Sequence, residues 1–455
     1  MSNCNIIGHY TNHAGLVALL LKLKQKQVFE PIAQTVKIKQ KTVKYNPTQK
    51  LWSGLVSLLT GAKAVVESNK RVRSDAVLAS LVSANGCPEQ SVIQATLSSA
   101  TKENGEQMQQ ALRQIFQSHS QAYRHNYEKS WQILDGDMSG QTCGAKAEQA
   151  TKGYFARKRA RRGRQIGRVV ASNYGEIVWE NLYPGTVQLN KALPELVEAA
   201  ETVLDLSPEK RACTLWRVDS GGGSQGDVNY LLHKGYFVLT KDYSLARARK
   251  LAKSVPVWTT DPTIPQRQVG WVKTPAPEYE QPVWRIAVRC QKQNGKWADC
   301  VLVTNLPPQF ALELSGQAAF LSGRAGAEML AYVYLYDQRG GGVETSFKED
   351  SQGLGNHHKK SFFGQLLLNL LRVLSHNILV WAKGWLLKTE PKIQPYGIKR
   401  LVRDFLTLYG LVYFDHSGHI FSLTFNQADP FARLSYKPWQ ALLADLNIAL
   451  ILGVT

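Results

Sequence analysis

The chain has 455 residues and carries 55 Lys and Arg against 35 Asp and Glu, giving a formal net charge of +20 and a pI near 9.6. This length allows roughly two to four domains, and a charge of this sign and size favours a polyanionic partner such as nucleic acid. The most apolar segment, residues 362–387, is interrupted by Arg372, His376 and Lys383. No charge-free stretch therefore reaches the roughly 20 residues that a membrane span requires, and we expect no membrane partner.

The N-terminus and the cysteines predict a cytoplasmic protein. The short apolar run at residues 16–21 has no basic residue before it, unlike a secretory signal. The six cysteines form no Cys-x-x-Cys pair and no Cys/His zinc spacing. We therefore expect reduced thiols with structural roles.

Residues 1–127 have the apolar spacing of helices and are predicted to form a helical DNA-binding region. Within them, residues 75–83 and 90–97 are predicted as two short helices around the turn at 84–88, which contains Gly86 and Pro88. This is the outline of a helix-turn-helix. Ordinary packing of two helices is the alternative.

From residue 128 the pattern changes to that of an α/β domain, in which three strands are followed by a helix and a further strand. The predicted elements are strands 132–138, 165–172 and 176–182, helix 191–204 and strand 213–218. Strand and helix patterns in this order fit an RNase H-like mixed sheet. We assign residues 128–254 and 321–375 to this catalytic core.

Residues 255–320 interrupt the core with a Pro-, Trp- and Val-rich segment, predicted to be a β-rich insertion. Its four tryptophans suit either stacking on a displaced base or packing of a small β-domain. They are Trp258, Trp271, Trp284 and Trp297. Residues 376–455 are predicted to be a C-terminal helical region with one strand at 419–425.

Three acids have the setting of a catalytic site. Asp219 ends an apolar run and precedes Ser220, and Asp137 lies just after an apolar run in an Asp-x-Ser sequence, as at the end of a strand. Glu344 lies two residues after three glycines. Together they would hold two Mg²⁺ or Mn²⁺ ions, because hard cations prefer carboxylate oxygens, and such a pair of ions breaks and joins phosphodiester bonds. Asp135 is the alternative first acid.

Each acid by itself also has an ordinary interpretation. The sequence Asp135-Gly-Asp137 is typical of a turn, Asp219 before glycines is typical of a loop, and Glu344 is typical of a solvated helix. The triple glycines at 221–223 and 340–342 suit either close approach of a DNA backbone or loop flexibility. The order of the acids and the strand contexts of the first two favour the catalytic interpretation.

A basic run with interleaved aromatic residues follows the first acid, between residues 152 and 168. It is predicted to contact the phosphate backbone and to give affinity without sequence choice. The predicted contacts are Arg157, Lys158, Arg159, Arg161, Arg162 and Arg164. A solvated charged face is the alternative.

The motifs above resemble those of bacterial insertion-sequence DDE transposases of the group with a β-strand insertion and a Tyr-Arg-Glu-Lys (YREK) signature. The resemblance covers residues 40–440 and is carried by Trp216-Arg-Val-Asp219-Ser-Gly, His233-Lys-Gly-Tyr236 and the segments at 152–155 and 336–355. It implies an RNase H-like fold, divalent metal, and cut-and-paste strand transfer on terminal inverted repeats. It further implies a homodimer assembled on double-stranded DNA, in the bacterial cytoplasm at the nucleoid.

By the same resemblance, Tyr336 and Arg339 would contact phosphate beside the third acid. The chain departs from the family pattern at two points. Four residues separate Arg339 from Glu344 where the family has three, and the position of the signature lysine is taken by Ser351. Lys348, one helical turn after Glu344, is the substitute phosphate contact that we predict.

Two other functions are compatible with the same residues. An RNase H-like endonuclease would cleave DNA without strand transfer, and the three acids do not distinguish it from a transposase. A catalytically inactive DNA-binding protein descended from a transposase would keep the basic surface and not cut. Cleavage and strand joining on inverted-repeat ends separate the three.

Overall fold

The computed structural model describes residues 8–153, 155, 161–352 and 359–455. They form two compact units, each assembled from separate parts of the chain. Unit 1 comprises residues up to Ser120, Lys146–Glu148 and Phe347–Thr455, and unit 2 comprises Gln121–Ala145 and Gln149–Ser346. The predicted N-terminal and C-terminal regions therefore belong largely to one unit.

The strands are numbered in chain order over the described part of the chain. They are β1 (Gly8–Thr11), β2 (Gln132–Thr142), β3 (Thr151–Lys152), β4 (Arg162–Ala171), β5 (Glu176–Pro184), β6 (Thr214–Val218), β7 (Phe237–Lys241), β8 (Thr259–Thr260), β9 (Arg267–Trp271), β10 (Trp284–Gln291), β11 (Trp297–Thr304), β12 (Gly410–Phe414), β13 (Ile420–Asn426) and β14 (Ala449–Gly453).

The α-helices are numbered in the same way. They are α1 (Ala14–Gln25), α2 (Glu30–Thr35), α3 (Pro47–Leu59), α4 (Ser68–Arg71), α5 (Ala76–Val82), α6 (Gln90–Ser98), α7 (Lys102–His119), α8 (Leu189–Leu204), α9 (Pro208–Arg211), α10 (Gln225–His233), α11 (Leu245–Lys253), α12 (Pro308–Leu314), α13 (Ala318–Leu321), α14 (Ala327–Asp337), α15 (Val343–Gln352), α16 (Phe362–Leu387), α17 (Ile398–Leu401) and α18 (Ala432–Leu443).

The core of unit 2 is a mixed sheet in the spatial order β5-β4-β2-β6-β7. Strand β4 pairs antiparallel with both β2 and β5, while β6 pairs parallel with β2 and β7 pairs parallel with β6. Strand β2 is thus the central strand of the five. Numbered 1 to 5 in chain order, the five strands have the spatial order 3-2-1-4-5. This is the RNase H arrangement, and it confirms the predicted α/β fold class.

Helices cover the sheet. Helix α8 packs against β2, β4 and β5, with its side chains Leu193, Leu196 and Val197 fully buried. Helix α14 belongs to a hydrophobic cluster with side chains from β2, β6, β7 and the outer strands, including Leu215 and Leu239. Burial of apolar side chains from strands and helices is the main stabilising term here.

The inserted segment extends this sheet outward from β7. Strand β11 pairs antiparallel with β7, followed by β10, β9 and the two-residue β8. These strands confirm the predicted β-rich insertion. The insertion therefore continues the hydrogen-bonded ladder of the core sheet.

Unit 1 contains a four-stranded sheet in the order β1-β12-β13-β14 together with helices around α16. These regions were predicted to be helical with one strand at 419–425, which the structure has as β13. Strands β1, β12 and β14 were not predicted. Strand β1 is only four residues long and pairs with β12, which lies about four hundred residues away in the chain.

Helix α16 has the length and apolarity of a membrane span, but 89% of its most apolar window is buried inside the protein. Its polar side chains Gln365, Asn369 and Arg372 lie within the fold, where Gln365 Nε2 and Arg372 Nη1 both donate to Asn369 Oδ1, at 2.8 and 3.1 Å. These are the features of a core helix.

Candidate active site

Asp137 lies within β2, two residues after Asp135 on the central strand of the sheet. The sequence predicted that the strand would end at this acid, but β2 continues to Thr142 because residues 138–142 pair with β4. The Asp137 carboxylate accepts a hydrogen bond from the Met138 backbone amide at 2.7 Å. Its side chain is 15% exposed, so it is sheltered and still reaches solvent.

Asp135 has a different environment from Asp137. It is fully buried and forms a bidentate ion pair with Arg217 of β6, with Nε–Oδ1 at 2.7 Å and Nη2–Oδ2 at 2.9 Å. The Ser172 hydroxyl donates to the same carboxylate. Because both oxygens of Asp135 are already bound by protein groups, this acid serves to hold β2 to β6. This favours Asp137 over Asp135 as the first acid.

Asp219 follows β6 directly and caps the one-turn 3-10 helix Ser220–Gly222, where its Oδ1 accepts the Gly221 amide at 2.8 Å. The Thr240 hydroxyl donates to the Asp219 carbonyl at 3.1 Å. Gly223 is required here because a Cβ would lie 1.8 Å from the carbonyl oxygen of Lys241. Gly223 therefore serves close packing of the chain on β7.

Arg339 connects the first acid to the end of α14. Its Nη2 lies 3.2 Å from Asp137 Oδ2 and donates to the Gly136 carbonyl at 3.4 Å, while Nη1 donates to the Tyr336 hydroxyl at 3.3 Å. The side chain is only 3% exposed, and its Nε has no hydrogen-bond partner among the residues that the structure describes. A buried N–H that lacks an acceptor is costly, and a phosphate oxygen would satisfy it.

Glu344 is exposed in the first turn of α15. The start of this helix is held against the sheet by two contacts. Arg168 Nη1 of β4 donates to the Ser346 hydroxyl at 2.9 Å. Gly342 packs so closely that a Cβ would lie 2.6 Å from Asp135 Oδ2, whereas Gly340 and Gly341 face open space.

The three predicted acids influence one another electrostatically. Burial raises the pKa of Asp137 to about 7; Arg339 opposes this rise, and the charges of Asp219 and Glu344 add to it. Burial also raises the pKa of Tyr336, which keeps its hydroxyl protonated at neutral pH. The structure therefore concentrates negative charge around Asp137, with one buried cation, Arg339, in direct contact.

Lys241 is a further member of this site that the sequence did not reveal. It is the last residue of β7, and its Nζ lies 4.7 Å from the centre of the Tyr336 ring. Its only sequence signal was the position at the end of a strand parallel to the one that precedes Asp219. A cation over an aromatic face at this position adds positive charge beside Tyr336.

The prediction of metal binding rests on the chemistry of the donors. Carboxylates suit Mg²⁺ and Mn²⁺, and the mutual repulsion of Asp137, Asp219 and Glu344 is relieved by a cation. Within residues that the structure describes, however, no three Asp, Glu, His or Cys side chains stand together as a ready metal-binding group. The two-ion site stays a prediction.

The basic run is described only in part. Arg157, Lys158 and Arg159 lie outside the described residues. Arg161 and Arg162 are exposed at the start of β4. Arg164 is buried at 1% exposure, so it is not the surface phosphate contact that we predicted, because β4 enters the interior of the sheet at Gly163. Lys348 is exposed on α15, one turn beyond Glu344.

The tryptophans of residues 258–297 divide into two pairs. Trp271 and Trp284 pack against the hydrophobic cluster around α14, as the packing alternative predicted. Trp258 and Trp297 instead flank the Arg289 guanidinium, whose central carbon lies 4.0 and 4.7 Å from their ring centres. Trp297 is 39% exposed and is the one whose ring remains open for stacking.

The two helices of the predicted helix-turn-helix are present as α5 and α6. Asp75 caps α5 by accepting the Leu78 amide at 3.0 Å, and Gly86 in the turn has a positive φ of 81°. The inner face of α6 is buried through Ile93 and Leu97, and its exposed face carries Ser, Gln and Ala but no charge. Whether this pair binds DNA stays a prediction.

Comparisons with known proteins give distant structural likenesses. No family model matches the chain, and no curated protein matches it. Among solved structures, the cryo-electron microscopy structure of a piggyBac transposase synaptic complex with hairpin DNA shares 12% sequence identity, with a TM-score of 0.42, over 88% of this chain and 82% of that one. The fold assignment rests on the strand order, since a likeness of this size does not carry it.

Proposed function

We propose that this chain is a metal-dependent DNA transposase of the DDE type, in which Asp137, Asp219 and Glu344 are the catalytic acids. The observation that supports this most directly is the strand order. It puts the first acid on the central strand and the second just beyond the neighbouring parallel strand, at the carboxyl end where sites of α/β sheets form. The coupling of all three charges at Asp137 supports the third assignment.

The three acids would hold the two Mg²⁺ or Mn²⁺ ions, with Glu344 reaching in from its exposed helix. The chemistry that such ions supply is charge stabilisation at the attacking and leaving oxygens of an in-line displacement. Arg339 and Tyr336 would bind the phosphate at this site, since the buried Arg339 Nε lacks an acceptor in the protein. Lys241 would add positive charge at the same phosphate.

The DNA substrate follows from the family resemblance and from the charge of the chain. We propose the terminal inverted repeats of a bacterial insertion sequence as the ends that are cut and joined to target DNA. Two ends must be handled together, so the assembly on DNA would be a homodimer in the bacterial cytoplasm.

A cleavage and joining assay tests the proposal. The purified chain is incubated with Mg²⁺ or Mn²⁺ and duplex DNA that carries the inverted repeats flanking its coding region. We expect cleavage and strand joining by the wild type, with a loss of ~10²-fold or more in rate for Asp219→Asn and for Glu344→Gln. Glu128→Gln changes an exposed acid elsewhere in unit 2 and should cut normally.

The possible outcomes separate the three functions. Cleavage without joining would identify an endonuclease. Binding of the ends with no cleavage by the wild type would identify an inactive descendant of a transposase. Cleavage that survives both substitutions at the wild-type rate would refute the assignment of the acids.

A further inference from the structure

Unit 1 contains an open groove of about 610 Å³ on residues to which the sequence assigned no role. It lies between the turn that follows α3, helix α4, and the start of α17 with the π-helical turn Val402–Leu406. Its lining includes five cationic side chains, which are Lys63, Arg71, Lys399, Arg400 and Arg403. Among the described residues that line the groove there is no acid.

The groove keeps an excess of positive charge after its ion pairs are counted. Arg71 pairs with Glu67 at 2.8 Å, and Arg400 and Arg403 both pair with Asp404. Five cations thus face two carboxylates, which leaves three positive charges. Like charges gathered this closely repel one another, so an anion in the groove is stabilised.

Two of the arginines are held in fixed positions. The Asp404 side chain is completely buried beneath them, with Oδ2 at 3.1 Å from Arg400 Nε and 3.1 Å from Arg403 Nη2. The Arg400 guanidinium also stacks 3.8 Å over the Tyr396 ring and donates to its hydroxyl at 3.0 Å. Each guanidinium has five N–H donors, and donors remain on both for a ligand.

Phosphate is the anion that this arrangement fits. A planar guanidinium group can bind two phosphate oxygens at once, and a lysine ammonium adds positive charge with less directional hydrogen bonds. Several cations spread along a groove match a ligand with repeated phosphates. An anionic membrane would need apolar side chains to insert, and the single large apolar residue of the lining, Val402, is buried.

We propose that this groove binds the phosphate backbone of double-stranded DNA without sequence preference. The proposal rests on the DNA partner of the proposed function and is independent of the catalytic acids. The groove would hold DNA through residues from both ends of the chain, because Lys63 and Arg71 belong to the N-terminal part while the remaining three follow residue 397.

The test uses the full chain and a mixed-sequence duplex of about 30 base pairs, which is roughly the length of DNA that one protein molecule covers. The double variant Lys63→Ala/Lys399→Ala removes two exposed lysines of the groove. The matched control, Arg433→Ala/Lys437→Ala, removes two exposed cations from α18 outside the groove. Fluorescence anisotropy gives Kd over a series of salt concentrations, and thermal melting confirms that both variants fold.

We expect the groove variant to lower the slope of log K against log salt by about 1.8, which at 0.15 M salt corresponds to roughly 30-fold weaker binding. The control should bind within about 3-fold of the wild type. Equal effects of the two double variants would overturn the proposal. So would groove-dependent binding to phosphatidylserine vesicles with none to DNA, which would identify a membrane ligand.

Binding measured in an Asp219→Asn background, set beside cleavage by the chain with Asp219 intact, separates this inference from the proposed function. A groove effect on binding, together with a wild-type chain that never cuts inverted-repeat DNA, would leave the groove standing and remove the transposase assignment. A chain that cuts inverted-repeat ends while both double variants bind alike would support the transposase assignment and refute DNA binding by the groove.

Discussion

Replacing Asp137 by Asn should stabilise the folded protein at neutral and alkaline pH. The pKa of this carboxyl is raised from 3.8 to about 7 by burial and by the charges of Asp219 and Glu344, against the opposing effect of Arg339. The folded state therefore holds a proton that the unfolded state has lost. Stability from this group is fully present below pH 3.8 and is lost as pH rises towards 7.

The size of the effect follows from the pKa difference. Since one pKa unit corresponds to about 1.4 kcal/mol, ionising Asp137 costs the folded state about 4 kcal/mol above pH 7. Asn has the shape of the protonated acid and no charge to desolvate. The gain in free energy of unfolding should be near zero below pH 3.8, about 2 kcal/mol at pH 5.5, and about 4 kcal/mol at pH 8.

Urea unfolding monitored by hydrogen exchange in peptides that cover β2 and β6 measures this gain within unit 2. Asp261→Asn is the control of opposite sign. Burial would raise the pKa of Asp261, but hydrogen bonds from Thr263, Tyr334 and Arg267 keep it below its usual value. Relative to the wild type, that variant should lose stability as pH rises from below the lowered folded pKa to 3.8, and the loss should stay constant at higher pH. A gain for Asp137→Asn that is flat or falls with pH would refute the electrostatic reasoning.

Other substitutions test the packing of the site. Arg217→Met leaves the buried Asp135 carboxylate without its bidentate partner, and should lower the free energy of unfolding by about 3 to 5 kcal/mol in urea denaturation. Gly342→Ala introduces a Cβ at 2.6 Å from a carboxylate oxygen and should destabilise unit 2 by about 1 to 3 kcal/mol, while Gly341→Ala, which faces open space, serves as the neutral comparison. The thiol of Cys87 is buried, and burial raises its pKa to about 11. A thiol reagent at pH 8 should therefore label it only at the rate at which the surrounding fold opens. Rapid labelling would contradict this burial.

Local patterns were sufficient to predict most of the α/β core. Strand alternation and apolar helical spacing predicted four of its five strands in chain order, and the bounds predicted for α6 and α8 agree with the structure to within two residues. These segments are long or strongly periodic, so their own sequence specifies them. The position of Asp219 after a parallel strand followed in the same way.

Features that depend on distant partners were missed. Strand β1 forms only because it pairs with β12, and nothing within Gly8–Thr11 reveals that partner. A charge run suggests a surface, yet Arg164 is buried because its strand runs into the sheet. The distinction between Asp135 and Asp137 likewise needed tertiary structure, since only the register with β6 brings Arg217 opposite Asp135.

The extension of the sheet beyond β7 has a consequence for solubility. Without it, the five-residue β7 would present a row of unpaired amides and carbonyls to other chains, which is a template for aggregation. The added strands move that open border outward to β8, where only Thr259 and Thr260 form the ladder. So short a border offers a neighbouring molecule few backbone groups to join, and the protein is thereby protected from self-association through this side of its sheet.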